Sequence, residues 1–188
     1  TWRLDQTLDA LLKQMVQSAV RVSGFGAAAI DLYDPEKGGY TTRATANLPA
    51  SLEAGLRLRL ISQDRVASAL RPELQVGDSN VYFLPGEYHM PELEWARYRQ
   101  APGPDGAAGA QRRAEDVLLV PLRRRDGVRV GLLALINTSG RKRPTDDDGH
   151  VFENLADQLV ATIEQWRQNS KLRQLSEVLA GMIEETEA

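Results

Sequence analysis

The stretch VLLVPLRRRDGVRVGLLALIN, residues 117–137, places the strongest constraint on what this chain can fold into. Two apolar runs, residues 117–122 and 128–136, flank a polar turn. In the turn, Asp126 and Gly127 tolerate positive φ, so the segment is predicted to fold back as a β-hairpin. Both runs are apolar at consecutive positions, which indicates strands that are covered on both faces. The sequence therefore predicts that this hairpin lies in the middle of a sheet.

The residues before this hairpin predict a helix, a second hairpin and several short elements. Apolar residues recur at steps of three and four over residues 4–22, which is typical of an amphipathic helix. Residues 27–34 and 40–48 flank turn residues and predict the two strands of the second hairpin. Ser62 is a candidate N-cap for a following helix. The remaining predictions are a poorly ordered or extended connection over 50–61, a helix over 63–70, strands over 74–78 and 81–84, a helix over 92–100 and a surface loop over 101–110.

The C-terminal part of the chain predicts a long helix with two apolar stripes. Thr145 followed by Asp148 is close to a capping box, and the aspartates of this turn lie at the positive end of the helix dipole. The stripes are Phe152, Leu155, Leu159, Ile163 and Trp166, and then Leu172, Leu175, Leu179 and Met182. The six-residue step between the two stripes breaks their phase, so the helix is expected to leave the domain and restart as a coiled-coil-like seam. We therefore expect a globular domain over residues 1–166 and a helical linker or coiled coil over 167–188.

The composition excludes several classes of function. The sequence contains no cysteine, which rules out disulfides, thiolate metal sites and thiol catalysis. The net charge of −3 gives no field that would recruit nucleic acid or an anionic membrane. No window approaches the ~18 apolar residues of a membrane span, and the N-terminus lacks the layout of a signal peptide. We therefore expect a cytoplasmic domain that contacts neither nucleic acid nor membrane. The start without methionine, inside a helical pattern, indicates a piece of a longer protein.

Two segments resemble the GAF domain family, and the resemblance extends over residues 4–166. The first is LLVPLRRRDGVRVGLLALIN, residues 118–137, with its order of apolar strand, proline, charged turn, glycine and second apolar strand. The second is PTDDDGHVFENLADQLVATIE, residues 144–164, which is similar to the last helix of the family. Weaker similarities lie in ATANLP, residues 44–49, and in residues 62–78. On this resemblance, residues 1–166 are identified as a GAF-like sensor domain of the kind found in bacterial signalling proteins.

The resemblance implies an α+β fold, GAF-like and related to PAS domains. A central antiparallel sheet would carry the N- and C-terminal helices on one face, and loops and short helices would form a ligand pocket over the other. Members of the family bind cyclic nucleotides, bilins, haem or other small molecules, or bind nothing and only dimerise. The ligand of this chain is therefore unknown from the resemblance alone.

Particular ligands can be compared with the residues present. Bilin members that attach their chromophore use a cysteine, which this chain lacks, so a covalent bilin is excluded. The signature of cyclic-nucleotide members matches here at Asn137 and Asp148 but departs from the family at Thr138, Pro144 and Gly149, which argues against a cyclic nucleotide. His89 is the candidate axial ligand for haem, and haem is not the ligand we expect. His89 and His150 have no neighbours at metal-binding spacing, so no metal site is predicted.

If a pocket exists, the resemblance places aromatic and polar side chains at its mouth: Tyr33, Arg43, Asp78, Tyr82, His89, Trp95 and Tyr98. Such a mixture of apolar wall and convergent polar groups is typical of a small-molecule site. Two alternatives stay open. The aromatic residues Tyr82, Trp95 and Tyr98 would otherwise close a core under a long loop, and Arg43 would otherwise pair with Asp31 across a hairpin instead of binding an anionic ligand.

The expected function is that of a sensory or regulatory domain in a larger signal-transduction protein, such as a two-component histidine kinase. A small molecule would bind, and the flanking helices would transmit its presence to an output domain. The alternative is a ligand-free module for dimerisation and signal transmission. In either case a homodimer through the terminal helices is expected. No catalytic residues are predicted, because no nucleophile motif or phosphate-binding loop is present.

Overall fold

Six antiparallel strands form a sheet in the computed structural model, which describes residues 2–85, 116–137 and 144–186. The strands are β1 (Ala27–Asp34), β2 (Gly39–Ala46), β3 (Leu60–Ser62), β4 (Tyr82–Leu84), β5 (Asp116–Arg123) and β6 (Arg129–Asn137). Their order is β3-β2-β1-β6-β5-β4, so β1 and β6 lie in the middle. The predicted central position of the 117–137 hairpin is confirmed. Its turn uses Gly127 at a φ of 82°, a left-handed conformation that favours glycine.

The helices are α1 (Trp2–Ser23), α2 (Ala50–Arg57), α3 (Gln63–Ala69) and α4 (Asp146–Thr186), with a 3₁₀ turn at Pro72–Leu74. One face of the sheet, here the helix face, is covered by α1 over β1 and β2 and by α4 over β5. The other face, here the outer face, carries α3 and the 3₁₀ turn, which pack on it through Val66, Ala69 and Leu74. This is the α+β arrangement that the family resemblance implied.

Alternation along the strands decides which side chains reach which face. On β1, Ile30 belongs to the large core beneath α1 and α4, as do Leu133 and Leu135 on β6. Their neighbours in sequence, Leu132 and Ala134, pack instead with the residues of α3 and the 3₁₀ turn. Both faces of the central strands are therefore buried, which explains why their sequences are apolar at consecutive positions.

Two short-range predictions between residues 50 and 78 are wrong. Residues 50–57 form helix α2 rather than an extended connection, because Arg57 pairs with Glu53 one turn earlier and Leu56 is buried beneath the helix. Residues 74–78 do not form a strand. A hydrogen bond from Val76 N to Val81 O, 2.8 Å long, closes a turn there instead, with Gly77 at a φ of 58°.

The last helix begins as predicted and then continues without interruption. Thr145 N donates to Asp148 Oδ2 (2.9 Å) and Asp148 N donates to Thr145 Oγ1 (3.3 Å), which confirms the capping box. The helix then runs as one element through Asp146–Thr186 and does not restart after Trp166. The phase step seen in the sequence therefore marks a change in which face of one helix is apolar.

Candidate functional site

A buried carboxylate lies in the middle of the outer face. Asp31 on β1 is only 1 % exposed, and Thr42 Oγ1 on β2 donates to its Oδ1 at 2.6 Å. Burial raises the pKa of Asp31 from 3.8 to about 6, while the Thr42 hydrogen bond and the positive charge of Arg59 act in the opposite direction. Among the described residues, Thr42 gives the one hydrogen bond that reaches this carboxylate. The group is therefore partly satisfied and able to accept further donors.

A β-bulge on β2 brings Asp31 and Thr42 together. Ile30 pairs with Ala44 while Asp31 pairs with Thr42, which leaves Arg43 as the extra residue. Thr42 consequently lies on the outer face, and Arg43 turns toward α1 on the helix face. There Arg43 Nε donates to Asp9 Oδ1 at 2.8 Å. One irregular residue therefore decides which of the two polar side chains meets Asp31.

Next to the Asp31–Thr42 pair, two tyrosines extend the polar part of the outer face. Tyr33 and Tyr40 pair across β1 and β2 with ring centroids 5.3 Å apart in an edge-to-face arrangement. Gln63 Nε2 on α3 donates to the Tyr33 hydroxyl at 2.9 Å. Arg129 Nε on β6 donates to the Tyr40 hydroxyl at 2.7 Å. These contacts connect three strands and α3 through polar groups, which makes this region the candidate site.

The structure separates the predicted site residues. Tyr33 lies in the polar region just described, whereas Arg43 pairs with Asp9 on the opposite face. The alternative pairing of Arg43 with Asp31 does not form, because the bulge turns Arg43 toward α1. Asp78 is 87 % exposed and lies beside α4, with Oδ1 3.4 Å from His150 Nε2.

Tyr82 lies on the outer face but far from Tyr33. It packs in the cluster of Leu74, Leu84 and Leu119, at the far edge of the sheet, three strands from β1. That separation is roughly 14 Å across the sheet, so the two rings do not form one group. The remaining predicted residues, His89, Trp95 and Tyr98, lie outside the described residues, as does the predicted 101–110 loop.

Sequence reasoning did not select Asp31 as a site residue, and it missed Thr42, Tyr40, Gln63 and Arg129. One signal was available: a charged residue interrupts the apolar run of β1, and a carboxylate inside a doubly covered strand is unusual. No such signal marked the residues around Asp31 in the sequence. They come together through strand register and the bulge, which the local sequence does not show.

A second concave region, here the terminal-helix cleft, lies between the end of α1 and the first turns of α4. It has a volume of about 500 Å³ and is open to solvent. Apolar side chains dominate one wall, where Val22 is 74 % exposed and Phe25 packs edge-to-face on Phe152. The lining residues are Val22, Ser23, Phe25, Pro144, Asp148, Val151, Phe152, Asn154, Leu155 and Gln158.

The turn before β4 is attached to α4 by a third set of contacts. Asn80 N donates to Glu153 Oε1 at 2.5 Å, and Ser79 is buried against Gly149 so closely that a Cβ there would lie 2.5 Å from Ser79 Oγ. His150 lies between Asp78 and Glu153 on the same surface. These contacts attach the turn before β4 to the first turns of α4.

The fold and these sites can now be compared with known proteins. The family model described as GAF domain matches residues 5–164, which is most of the chain. The chain belongs to the GAF domain family. GAF domains are regulatory and sensory domains rather than catalytic ones, and the resemblance seen in the sequence is confirmed. No curated protein matches the sequence.

Solved GAF domains share the architecture at low sequence identity. The chain is similar to a GAF domain/HD domain protein from Geobacter sulfurreducens, with a TM-score of 0.64, 16 % identity and coverage of 86 % of this chain and 94 % of that one. It is also similar to a domain of a putative two-component sensor histidine kinase from Sinorhizobium meliloti 1021, with a TM-score of 0.57, 14 % identity and coverage of 88 % of this chain and 96 % of that one. The GAF domain of a phosphoenolpyruvate-protein phosphotransferase from Coxiella burnetii is similar with a TM-score of 0.56, 18 % identity and coverage of 87 % of this chain and 86 % of that one.

These proteins place GAF domains in sensor kinases and other signalling proteins. At such identities the likeness establishes the fold. None of the helices that the structure describes is both long enough and apolar enough to cross a lipid bilayer.

Proposed function

We propose that this GAF domain is the sensory part of a larger signalling protein, in which a small molecule bound on the outer face changes the pose of α4. The observation that carries the proposal is the continuity of α4. Its first half packs in the core through Phe152, Leu159 and Ile163, and its second half extends beyond the domain as the same helix. A helix transmits rotation or translation along its length without an intervening hinge.

The partly satisfied carboxylate of Asp31 supports the ligand in this proposal. A buried carboxylate is unfavourable unless donors surround it, and Thr42 is its one hydrogen-bonding partner in the described part of the chain. A ligand that presents an N–H or O–H group, or a positive charge, to Asp31 would complete the set. The neighbouring Ile30 of β1 belongs to the same core as Phe152 and Leu159 of α4, which gives a route from the strand of Asp31 to α4.

Native mass spectrometry of the domain, purified gently from its host, tests the sensor proposal. We expect a small molecule to be retained by the parent chain and lost from Asp31→Asn, because the neutral amide no longer attracts a donor or cation as strongly. Asp64→Asn, an exposed change on α3, is the matched control and should retain the molecule. If the parent retains nothing, the domain is not a sensor of this kind.

The ligand-free alternative is favoured by a different observation, the exposed seam on α4. Leu172, Leu175, Leu179 and Met182 are between 59 % and 64 % exposed, which is unusual for four large apolar side chains on one helix face. A parallel pair of helices would bury them against a second copy, and the domain would then act as a homodimeric transmission module. The sensor and the ligand-free module would share this dimer, and only the sensor would retain a small molecule.

Sedimentation equilibrium tests the dimer. Changing Leu175 and Leu179 together to Lys should convert a dimer into a folded monomer, because four lysines would then face each other across the seam. The matched control changes Gln174 and Ala180 to Lys, which adds the same charge on other faces of the same helix turns. A parent chain that is monomeric at tens of micromolar, or a double variant that stays dimeric, would exclude the seam.

A further inference from the structure

A second bulge turns an arginine to the outer face of the sheet. The pairing of β5 with β6 shifts after Leu122, so that Arg123 lies opposite Arg129 and Val130 is the extra residue. Val130 packs in the core beneath α1 and α4. Arg129 consequently lies on the outer face, where its side chain reaches Tyr40 on β2. Without the bulge, strict alternation along β6 would direct this arginine to the helix face.

Tyr40 fixes the orientation of the Arg129 guanidinium group. Arg129 Nε donates to the Tyr40 hydroxyl at 2.7 Å, and Arg129 Cζ lies 5.6 Å from the centroid of the Tyr40 ring. Tyr40 is only 2 % exposed and packs with Val66 of α3 and Leu132 of β6, so its ring is itself held in place. No described residue accepts a hydrogen bond from either Nη atom of Arg129. The structure therefore presents these donors in a fixed position.

The hydroxyl of Tyr40 is also only partly satisfied. It accepts the hydrogen bond from Arg129, while its own proton has no acceptor in the part of the chain that the structure describes. A phenolic hydroxyl is a donor as well as an acceptor, and buried donors are nearly always paired. Donors of two side chains thus meet at one point without an acceptor. An oxygen atom that carries negative charge satisfies both of them.

The charges around this point favour an anion as well. Arg123 and Arg129 face each other across β5 and β6, with Cα atoms about 4.5–5.5 Å apart, and like charges in such a pair are destabilising. Arg123 Nη1 donates to Gly127 O at 3.3 Å. The one carboxylate in residues 117–137, that of Asp126, pairs with Arg124 at 2.6 Å. Among the described residues, Arg123 and Arg129 consequently have no ion-pair partner.

The neighbouring turn between β1 and β2 does not supply the missing acid through Asp34. The carboxylate of Asp34 accepts hydrogen bonds from the backbone N–H groups of Glu36 and Lys37, at 3.0 and 3.2 Å. It also lies 3.7 Å from Lys37 Nζ. Asp34 is therefore engaged by its own turn.

We propose that Arg129, Arg123 and the hydroxyl of Tyr40 form a binding site for a phosphate group at the hairpin end of the outer face. The site goes beyond the proposed function, because it does not need the ligand that we assign to Asp31. A phosphate monoester carries a charge of about −1.5 to −2 at pH 7, which matches two guanidinium groups. Its oxygen atoms accept bidentate hydrogen bonds from arginine and a further one from a hydroxyl.

Exposure at the hairpin end gives a phosphate group access to these donors. Arg123 is exposed and Arg129 is half-buried, whereas Tyr40 lies beneath them. A bound phosphate would bridge β5 and β6 through the two arginines and reach β2 through the tyrosine. Such binding stabilises the folded domain, because the unfolded chain does not hold these three groups together.

Titration of the full chain with inorganic phosphate at constant ionic strength tests the proposal. The Nε–H resonance of Arg129 in nitrogen-15 NMR spectra should shift in a saturable manner, and the melting temperature should rise. Arg129→Gln should weaken phosphate binding by at least about tenfold. The matched control Arg125→Gln removes the same charge from the exposed turn of this hairpin and should leave the affinity unchanged. Equal losses in the two variants would show that net charge controls binding and would overturn the site.

A second pair of variants tests the buried hydroxyl. Tyr40→Phe keeps the ring but removes the donor, so phosphate binding should weaken by about three- to tenfold. Tyr82→Phe, at the far edge of the sheet, is the matched control and should bind phosphate as the parent does. Arg123→Gln, at an exposed position, gives the same test if Tyr40→Phe does not fold. Unchanged affinity in both Arg129→Gln and Arg123→Gln would overturn the site.

Two further probes identify the chemistry of the anion. Acetate carries one charge and should bind much more weakly than phosphate; equal affinities would overturn the assignment to phosphate. Methyl phosphate distinguishes the two sources of the group. Tighter binding than that of inorganic phosphate would assign the site to a phosphate monoester, and weaker binding would assign it to the free ion. A parent chain that shows no saturable response to either phosphate would overturn the proposal and leave the proposed function as it stands.

Discussion

The central strands are buried on both faces of the sheet, but the two faces differ in chemistry. Beneath α1 and α4, the strands contribute apolar side chains such as Ile30, Leu118 and Leu133 to one large core. On the outer face, the buried residues include Asp31, Thr42 and Thr45 among smaller apolar clusters. The difference indicates that the helix face provides stability, while the outer face retains polar groups that stability alone would not favour.

The largest expected effect comes from a charge on the helix face. Leu133→Asp buries a carboxylate between the sheet and the helices and should abolish folding, because its desolvation is comparable to the ~5–15 kcal/mol stability of a whole domain. Circular dichroism and thermal melting provide the measurement. Val128→Asp, at an exposed position before β6, is the control and should fold normally. A soluble, cooperatively melting Leu133→Asp variant would show that this hairpin is peripheral.

On the outer face, removing a buried charge at Asp31 should stabilise the domain. Because burial raises the pKa of Asp31 to about 6 from 3.8, the folded state holds a proton that the unfolded state releases. The contribution of Asp31 to stability therefore falls as the pH rises through this window, by about 3 kcal/mol in total. Asp31→Asn should stabilise the domain at pH 7.5 by up to that amount. Urea unfolding at pH 4.5 and pH 7.5 measures it.

The control for this second prediction is Asp64→Asn, which lies on the surface of α3. It should change neither the stability nor its pH dependence appreciably. If Asp31→Asn were destabilising at pH 7.5, the carboxylate would be held by donors beyond Thr42, and the proposed role of Asp31 in ligand binding would be wrong.

A smaller effect on stability is expected from Thr42, which donates a hydrogen bond to Asp31. Thr42→Val keeps the shape of the side chain but removes the 2.6 Å hydrogen bond, so the domain should lose about 1–3 kcal/mol at pH 7.5. The pKa of Asp31 should rise further, because this hydrogen bond lowers it. Carboxyl carbon NMR of Asp31 follows the titration. Thr41→Val, the neighbouring change on β2, should leave that titration where it is.

The smallest effect should come from the rim of the helix face. Asp9→Asn removes the partner of Arg43 in an ion pair whose side chains are both partly exposed, so we expect a loss below ~1 kcal/mol. The loss should disappear in 1 M salt, where such pairs are screened. Urea unfolding at low and high salt is the measurement. A loss that persists in salt would show that Asp9 acts through packing.

Prediction from the sequence succeeded where neighbouring residues contain the information. The turn at Gly127, the capping box of Thr145 and Asp148, and the N-cap of α3 all depend on residues within four positions of each other. Ser62 Oγ indeed accepts from Arg65 N. Prediction from the sequence failed at α2, where the leucines at positions 52, 56, 58 and 60 favoured an extended chain. In the structure these residues do not share one environment, because Leu56 is buried and Leu58 is exposed.

The sequence by itself determined the family, the central hairpin and the positions of the main helices, because apolar periodicity reports which side of an element is buried. Tertiary structure alone decided the candidate site. A bulge between Ile30 and Asp31 directs Thr42 to the carboxylate and Arg43 to α1, and strand register brings Arg129 to Tyr40. It also decided that α4 continues past Trp166 as one uninterrupted helix. Such arrangements depend on contacts between residues far apart in sequence, which local periodicity does not encode.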